Sequence, residues 1–279
     1  MSTATWLEAD PADVSPVVLL VGGFLTMPGL YRQMADALRD RGAADVVIAP
    51  IYTPDWVLCA VRGLGPVTTR AGRSLLAAGA LSAVSALSAG GPASRGAPIL
   101  YVGHSAGGIL GRLLTSPEPF EGRRFGAADR MGALVTLGTP HLVGSEARWG
   151  GRVATSGARF ANRHVPGACF APTTGYLAVA SRRVVGDEGA DDPRSRSMRR
   201  LYEDVHPAPD QPVVAGDGLV PVASALLPGA RHLVLDDAVH GPGARFRWYG
   251  QGEQLDAWWP LALEVWRDAL RARRALRSG

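Results

Sequence analysis

The sequence predicts an α/β domain with a mostly parallel central sheet, helices on both faces and a long insertion. Three observations predict it. PVVLLVGGF at 16–24 is an unbroken Val/Leu-rich run, the pattern of a strand buried on both faces. Apolar runs of strand length alternate with segments of helical period along most of the chain. A chain of 279 residues, 47% hydrophobic, has enough apolar material to cover both faces of such a sheet.

The elements follow in order. After the first strand, Pro28-Gly29 marks a turn, and 29–42 has helical spacing at Leu30, Met34, Ala37 and Leu38 with Gly42 as its stop. ADVVIAPIY (44–52) reads as the second strand, and 67–90 as a packed helix ended by Gly90-Gly91-Pro92. APILYVG (97–103) is the third strand, followed by a helix over 108–115. MGALVTLGTP (131–140), YLAVASRRVVG (176–186) and ARHLVLDDA (230–238) give a fourth, fifth and sixth strand, and 253–276 a closing amphipathic helix. Two stretches break the alternation. Residues 142–175, Gly/Arg-rich with scattered aromatics, read as a lid or cap insertion, and 187–212 as a charged loop insertion. The expectation is one domain over 1–279.

Composition excludes several classes. All 29 basic residues are Arg, so no mechanism can use a lysine. The net charge of +4 is small, and the densest basic stretch, RDALRARRALR at 267–277, also carries apolar residues. It reads as a solvated helix face and not a nucleic-acid patch. No run approaches 18 apolar residues, so no integral membrane segment is expected, and no secretory leader is visible. Cys59 and Cys169 are isolated from each other and from metal-ligand spacing. Neither a disulfide framework nor a metal is expected, and a reducing cytoplasm fits.

One stretch carries chemistry. ILYVGHSAGGIL (99–110) runs from strand to helix through Gly103-His104-Ser105-Ala106-Gly107. With 35 glycines in the chain, a G-x-S-x-G match means little without context. Here the context is a strand that ends at the serine and a helix that begins just after it, which is what a nucleophile elbow requires. Such a corner strains the serine backbone, so Gly103 and Gly107 flank it, and Gly108 and Gly111 let the helix approach the strands. A serine hydroxyl needs a base, and the base an orienting acid. Asp217, in a Gly-Asp-Gly turn, and His240, just past the sixth strand, supply them in the order Ser, Asp, His. The oxyanion hole needs two backbone donors, expected at Ala106 and, after the first strand, at Phe24 with Leu25 as its neighbour. Gly22 stands where such a loop usually has a bracing histidine.

The rivals fit less well. His104 is expected to pack or hydrogen-bond nearby. His141 precedes every candidate acid, Asp237 is the fallback acid ahead of Asp236, and His164, His206 and His232 read as loop or surface residues. Trp149, Phe160, Phe170 and Tyr176 either line an acyl pocket or pack the insertion's own core.

With GHSAGG, GTPH (138–141), FANRHVPGA (160–168), AGDGLVPVASALLPGA, LDDAVHGP and RWYG (247–250), the chain resembles the α/β-hydrolase superfamily on its lipase/esterase side. It is similar to plant-plastid and cyanobacterial lipase-like hydrolases over most of 16–260. The resemblance implies an α/β-hydrolase fold and a serine hydrolase of carboxylic esters, with Ser105, Asp217 and His240 as triad. It implies no cofactor, a small-molecule ester or lipid as substrate, and at most peripheral membrane contact. Oligomeric state is left open. An acyltransferase or thioesterase with the same triad, and a silent lipid- or partner-binding protein, are the alternatives. A haloperoxidase or epoxide hydrolase fits less well, since the latter uses an Asp at the elbow.

Overall fold

The computed structural model describes residues 14–88, 96–144, 151–205, 210–242 and 247–278. Its strands are β1 (Val17–Val21), β2 (Asp45–Ile48), β3 (Ile99–His104), β4 (Met131–Leu137), β5 (Gly175–Ser181), β6 (Val184–Asp187), β7 (Val213–Gly216) and β8 (Arg231–Leu235). Its helices are α1 (Arg32–Asp40), α2 (Thr53–Arg62), α3 (Gly65–Ser88), α4 (Ala106–Thr115), α5 (Gly151–His164), α6 (Pro193–Val205), α7 (Val222–Ala225) and α8 (Gly252–Ser278). The central sheet has the order β2-β1-β3-β4-β5-β8, every pair parallel.

Strand alternation divides the core in two. Val17, Leu19, Val21, Tyr101 and Leu134 face α2, α3, α4 and α5, where Trp56, Leu75, Leu113 and Ala158 are buried. Val18, Leu20, Leu100, Val102 and Val135 face α1 and α8, against Met34, Leu38, Trp258 and Trp266. The tryptophans of α8 also need polar partners. Trp258 Nε1–H donates to the Tyr249 carbonyl at 2.8 Å, and Trp266 Nε1–H to the Pro98 carbonyl at 2.7 Å. The register sets Val21 beside Gly103, His104 beside Leu137 and Leu137 beside Val179. The carboxyl ends of β1, β3, β4 and β5 therefore form one edge, where open parallel sheets bind ligands.

Three expectations change. The stretch 176–186 is two strands: β5 stays in the main sheet, while β6 leaves it at Arg182-Arg183 and pairs antiparallel with β7. The charged stretch 187–212 is not only loop. It holds α6, whose Arg199, Tyr202 and Val205 are buried. A helix not foreseen, α2, has Pro54 in its first turn, and Gly63 stops it at φ 71°. Within 142–175, α5 packs on α4, with Ala158 and Ala161 in the core. Phe160 sits edge-on to Phe120 at 4.9 Å, and Tyr176 is buried, so these two aromatics pack the fold; Phe170 packs against the same core. Trp149 and His206 lie outside the described residues. Among the described residues no helix is long and apolar enough to cross a membrane.

Candidate active site

Ser105 sits between β3 and α4 with φ 54° and ψ −126°. A non-glycine residue rarely adopts this conformation, and its surroundings hold it there. The Ser105 N–H donates to the Leu137 carbonyl at 2.9 Å, and its carbonyl accepts from Gly108 N–H at 3.1 Å. The neighbours must be glycine. A Cβ on Gly107 would lie 2.2 Å from the Val21 carbonyl oxygen, on Gly103 2.5 Å from Gly108 Cα, and on Gly108 2.1 Å from Thr139 Oγ1. Helix α4 consequently lies tight against the strand ends with its amino terminus beside Ser105.

The chain brings Ser105, His240 and Asp217 into one hydrogen-bonded path. His240 Nε2 lies 2.9 Å from Ser105 Oγ, and His240 Nδ1 lies 2.8 Å from Asp217 Oδ2. An ionised carboxylate only accepts, so Nδ1 carries the proton and Nε2 is left to accept from the serine hydroxyl. Asp217 is fully enclosed. Its Oδ1 accepts from Val220 N–H at 2.8 Å and Leu219 N–H at 3.0 Å, and its Oδ2 also accepts from the Tyr249 hydroxyl at 2.8 Å. Burial alone would push this carboxyl up. The His240 charge and the hydrogen bonds from His240, Val220 and Tyr249 outweigh it and hold the acid below its ordinary value. Gly138 leaves the space: a Cβ there would lie 2.6 Å from Asp217 Oδ2.

Asp217 arrives from outside the main sheet, at the end of β7. Tyr202 of α6 braces that turn, accepting from Gly218 N–H at 2.9 Å and donating to the Val184 carbonyl at 3.0 Å. Backbone holds His240 as well, because its N–H donates to the Asp217 carbonyl at 2.9 Å.

The loop after β1 closes the other side. A Cβ on Gly23 would lie 2.7 Å from Ser105 Cβ, so this loop rides directly over the serine. Among the described residues, neither the Phe24 nor the Ala106 N–H donates to another protein group. The Phe24 ring packs edge-on to Trp56 at 5.7 Å, and Thr53 Oγ1 donates to the Leu25 carbonyl at 3.1 Å. The unforeseen α2 thus supports this loop. Leu25 itself has φ 60°. A side chain at position 22 has no room, since a Cβ there would lie 2.6 Å from the Tyr31 ring. Tyr31 occupies the space and takes over the bracing: its hydroxyl accepts Gly23 N–H at 2.9 Å.

The rival residues are engaged elsewhere. His104 is buried, with Nδ1 2.8 Å from the Tyr31 hydroxyl and Nε2 2.7 Å from the His240 carbonyl. His141 is buried with Nε2 3.0 Å from Thr136 Oγ1, and burial holds it well below the usual histidine range. Asp236 pairs with Arg182 and Asp237 with Arg183. His164 ends α5 against Phe160, and His232 binds the Leu227 carbonyl from β8. Cys59 and Cys169 are both free thiols. Among the described residues no group of three or more His, Cys, Asp or Glu could hold a metal.

Tyr31 and Tyr249 are the site residues that sequence reasoning missed. RWYG was visible as a motif, but nothing in its spacing showed that the tyrosine reaches the acid. Tyr31 sat inside an ordinary helical pattern, and the signal was Gly22, whose missing side chain left the loop unbraced.

No protein-family model matches the sequence, and no curated protein matches it. Among solved structures the chain is similar to tomato methylketone synthase I complexed with 2-tridecanone, at 15% identity and TM-score 0.32, over 53% of this chain and 47% of that one. It is similar to the thioesterase domain from the curacin biosynthetic pathway, at 19% identity and TM-score 0.32, over 48% of this chain and 40% of that one. These two matches span less than half of the other chain's length. A thermophilic esterase from the Planctomycetes species Thermogutta terrifontis aligns at 12% identity and TM-score 0.41, over 92% of this chain and 83% of that one. The fold itself is read from the molecule. A parallel sheet of this order, a strained serine between strand and helix, and Ser, Asp and His in that chain order make this the α/β-hydrolase fold.

Proposed function

We propose that the chain is a serine hydrolase of carboxylic esters, lipid-like or acyl esters among them, working through an acyl-enzyme on Ser105. The observation that carries the reading is the path from Ser105 Oγ through His240 to Asp217, at 2.9 and 2.8 Å. In this mechanism Ser105 Oγ attacks the ester carbonyl carbon as His240 Nε2 takes the hydroxyl proton. Asp217 keeps the imidazole in the productive tautomer and stabilises the imidazolium. The carbonyl oxygen, now an anion, is met by the Phe24 N–H from the loop after β1 and the Ala106 N–H at the amino end of α4. His240 then gives its proton to the departing alkoxide, the carbon–oxygen bond breaks, and the alcohol leaves. Water attacks the acyl-enzyme by the same route, giving up a proton to His240, which returns it to Ser105 Oγ as the carboxylic acid departs. The chemistry draws on no cofactor.

Hydrolysis of p-nitrophenyl esters of increasing acyl length, beside a Ser105→Ala control, tests the proposal. Release of p-nitrophenol by the wild type and not by the control supports it, and equal rates refute it. Thiol release from acyl-CoA in parallel decides between an oxygen-ester and a thioester preference.

A further inference from the structure

We propose that His104 and Tyr31 form a hydrogen-bonded bridge that holds the His240 loop and the loop after β1 in register across Ser105. Both are then positioning residues for the reaction. The inference deepens the ester-hydrolysis reading and rests on it for its kinetic arm.

The direction of every bond follows from the groups present. The His240 carbonyl can only accept, so at 2.7 Å His104 Nε2 must carry a hydrogen. Burial holds His104 down at about 3 from an ordinary 6.5, with the nearby His240 charge acting the same way, so the ring is neutral. Its Nδ1 is therefore a lone pair, and at 2.8 Å it is the nearer of two acceptors for the single Tyr31 hydroxyl hydrogen, the other being Thr26 Oγ1 at 3.3 Å. That hydroxyl oxygen in turn accepts Gly23 N–H at 2.9 Å, while Thr26 Oγ1 donates to the Gly23 carbonyl at 2.7 Å. An unbroken path runs from Gly23 N–H through the Tyr31 hydroxyl and the His104 ring to the carbonyl of His240.

The two ends come from strands far apart in the sheet, and they also meet at Ser105 and through the packing of Tyr31 on Trp248. Gly23 follows β1 and His240 follows β8, and β3, β4 and β5 lie between those strands. The bridge fixes what each end must do. With Gly23 N–H taken by Tyr31, the next amide, Phe24 N–H, is left for an oxyanion. With its carbonyl held by His104 and its N–H by the Asp217 carbonyl, His240 is fixed on both sides of its Cα. A neutral imidazole suits the task because it donates at one end of a rigid ring and accepts at the other. The groups facing it are the rings of Tyr31, Trp248, Tyr249 and His240, with the Asp217 charge beyond. A charged ring there would oppose the imidazolium that forms on His240.

Three variants test the bridge. Tyr31→Phe removes the hydroxyl but keeps the ring that packs on Trp248. His104→Gln keeps a donor and an acceptor, and His104→Leu keeps neither. On a p-nitrophenyl ester, kcat should fall about tenfold in Tyr31→Phe and in His104→Leu, with KM within about twofold. His104→Gln should recover most of the loss, and the Tyr31→Phe/His104→Leu pair should be no slower than the slower single variant. Unchanged kcat in Tyr31→Phe, or losses that multiply in the pair, overturns the proposal. A second readout does not need activity. Imidazole nitrogen-15 spectra of the wild type should show His104 as the neutral Nε2–H tautomer down to about pH 4, with the Nδ1 resonance moving in Tyr31→Phe. An Nδ1–H tautomer, or an unmoved resonance, overturns the bridge. A wild type inactive on every ester, yet with this tautomer and this response, would refute ester hydrolysis while supporting the bridge.

Discussion

At the level of single residues, the site rests on a few donors and acceptors whose roles are forced by their partners. Asp217 accepts from His240, Tyr249, Val220 and Leu219, so its carboxylate has no free side on which to drift. Tyr249→Phe removes one donor and leaves the ring packing in place. Its kcat should fall about tenfold, the scale of one charge-assisted hydrogen bond, measured by steady-state kinetics, and its melting temperature should drop because a buried carboxylate loses a donor. Ser105→Ala should lower kcat by about a thousandfold or more while the fold is retained, as circular dichroism and turnover together would show. Ser105, Asp217 and His240 were legible in the sequence because each lies at an element end bounded by glycine or proline, in an order that the chemistry restricts. Tyr249 and Tyr31 were not legible. Each acts through the far end of a long side chain, and no local pattern records where that end arrives.

At the level of elements, the turn between β3 and α4 is set by small residues and not by sequence preference alone. Gly107→Ala would drive a Cβ to within 2.2 Å of the Val21 carbonyl, a backbone atom that cannot swing aside. The expected cost is about 3 kcal/mol by chemical denaturation, with activity lost as the serine shifts. Gly79 gives the contrast. It lies inside α3 with nothing within 4 Å of its would-be Cβ, so Gly79→Ala should stabilise the protein by about 0.5–1 kcal/mol. The buried strands and the long α8 were readable because their apolar periods are strong. The 176–186 stretch misled because apolar runs stand on both sides of Ser181-Arg182-Arg183, where the chain changes sheet. Helix α2 was overlooked despite Pro54 near its start and Gly63 at its stop. It is short, and Val57 and Val61 face outward and blur its period.

At the level of the whole molecule, two buried neutral histidines tie stability to pH. His104 is held down at about 3 and His141 well below its ordinary 6.5, in both cases first by burial. The unfolded chain therefore binds more protons than the folded one as pH drops below about 6.5. Stability from these groups is fully present above that value and is lost as pH falls through the window toward 3. Asp217, held below its ordinary value, adds a loss of the same sign at lower pH. The melting temperature should decline from about pH 6.5 downward. His104→Gln, which cannot titrate, should flatten the slope, and an identical slope in that variant would contradict the account. The sheet as a whole was foreseen from its apolar runs. The excursion through β6, α6 and β7 was not, because α6 is mostly polar and buries only a narrow stripe.

The central claim is that Ser105 is an activated nucleophile, and its most direct test is covalent. Folded wild-type protein would be treated with a fluorophosphonate and the modified peptide located by mass spectrometry. The account predicts a single adduct on Ser105, formed quickly in the wild type and hardly at all in His240→Ala. An unlabelled Ser105 in folded protein, or labelling that proceeds equally well without His240, would contradict it.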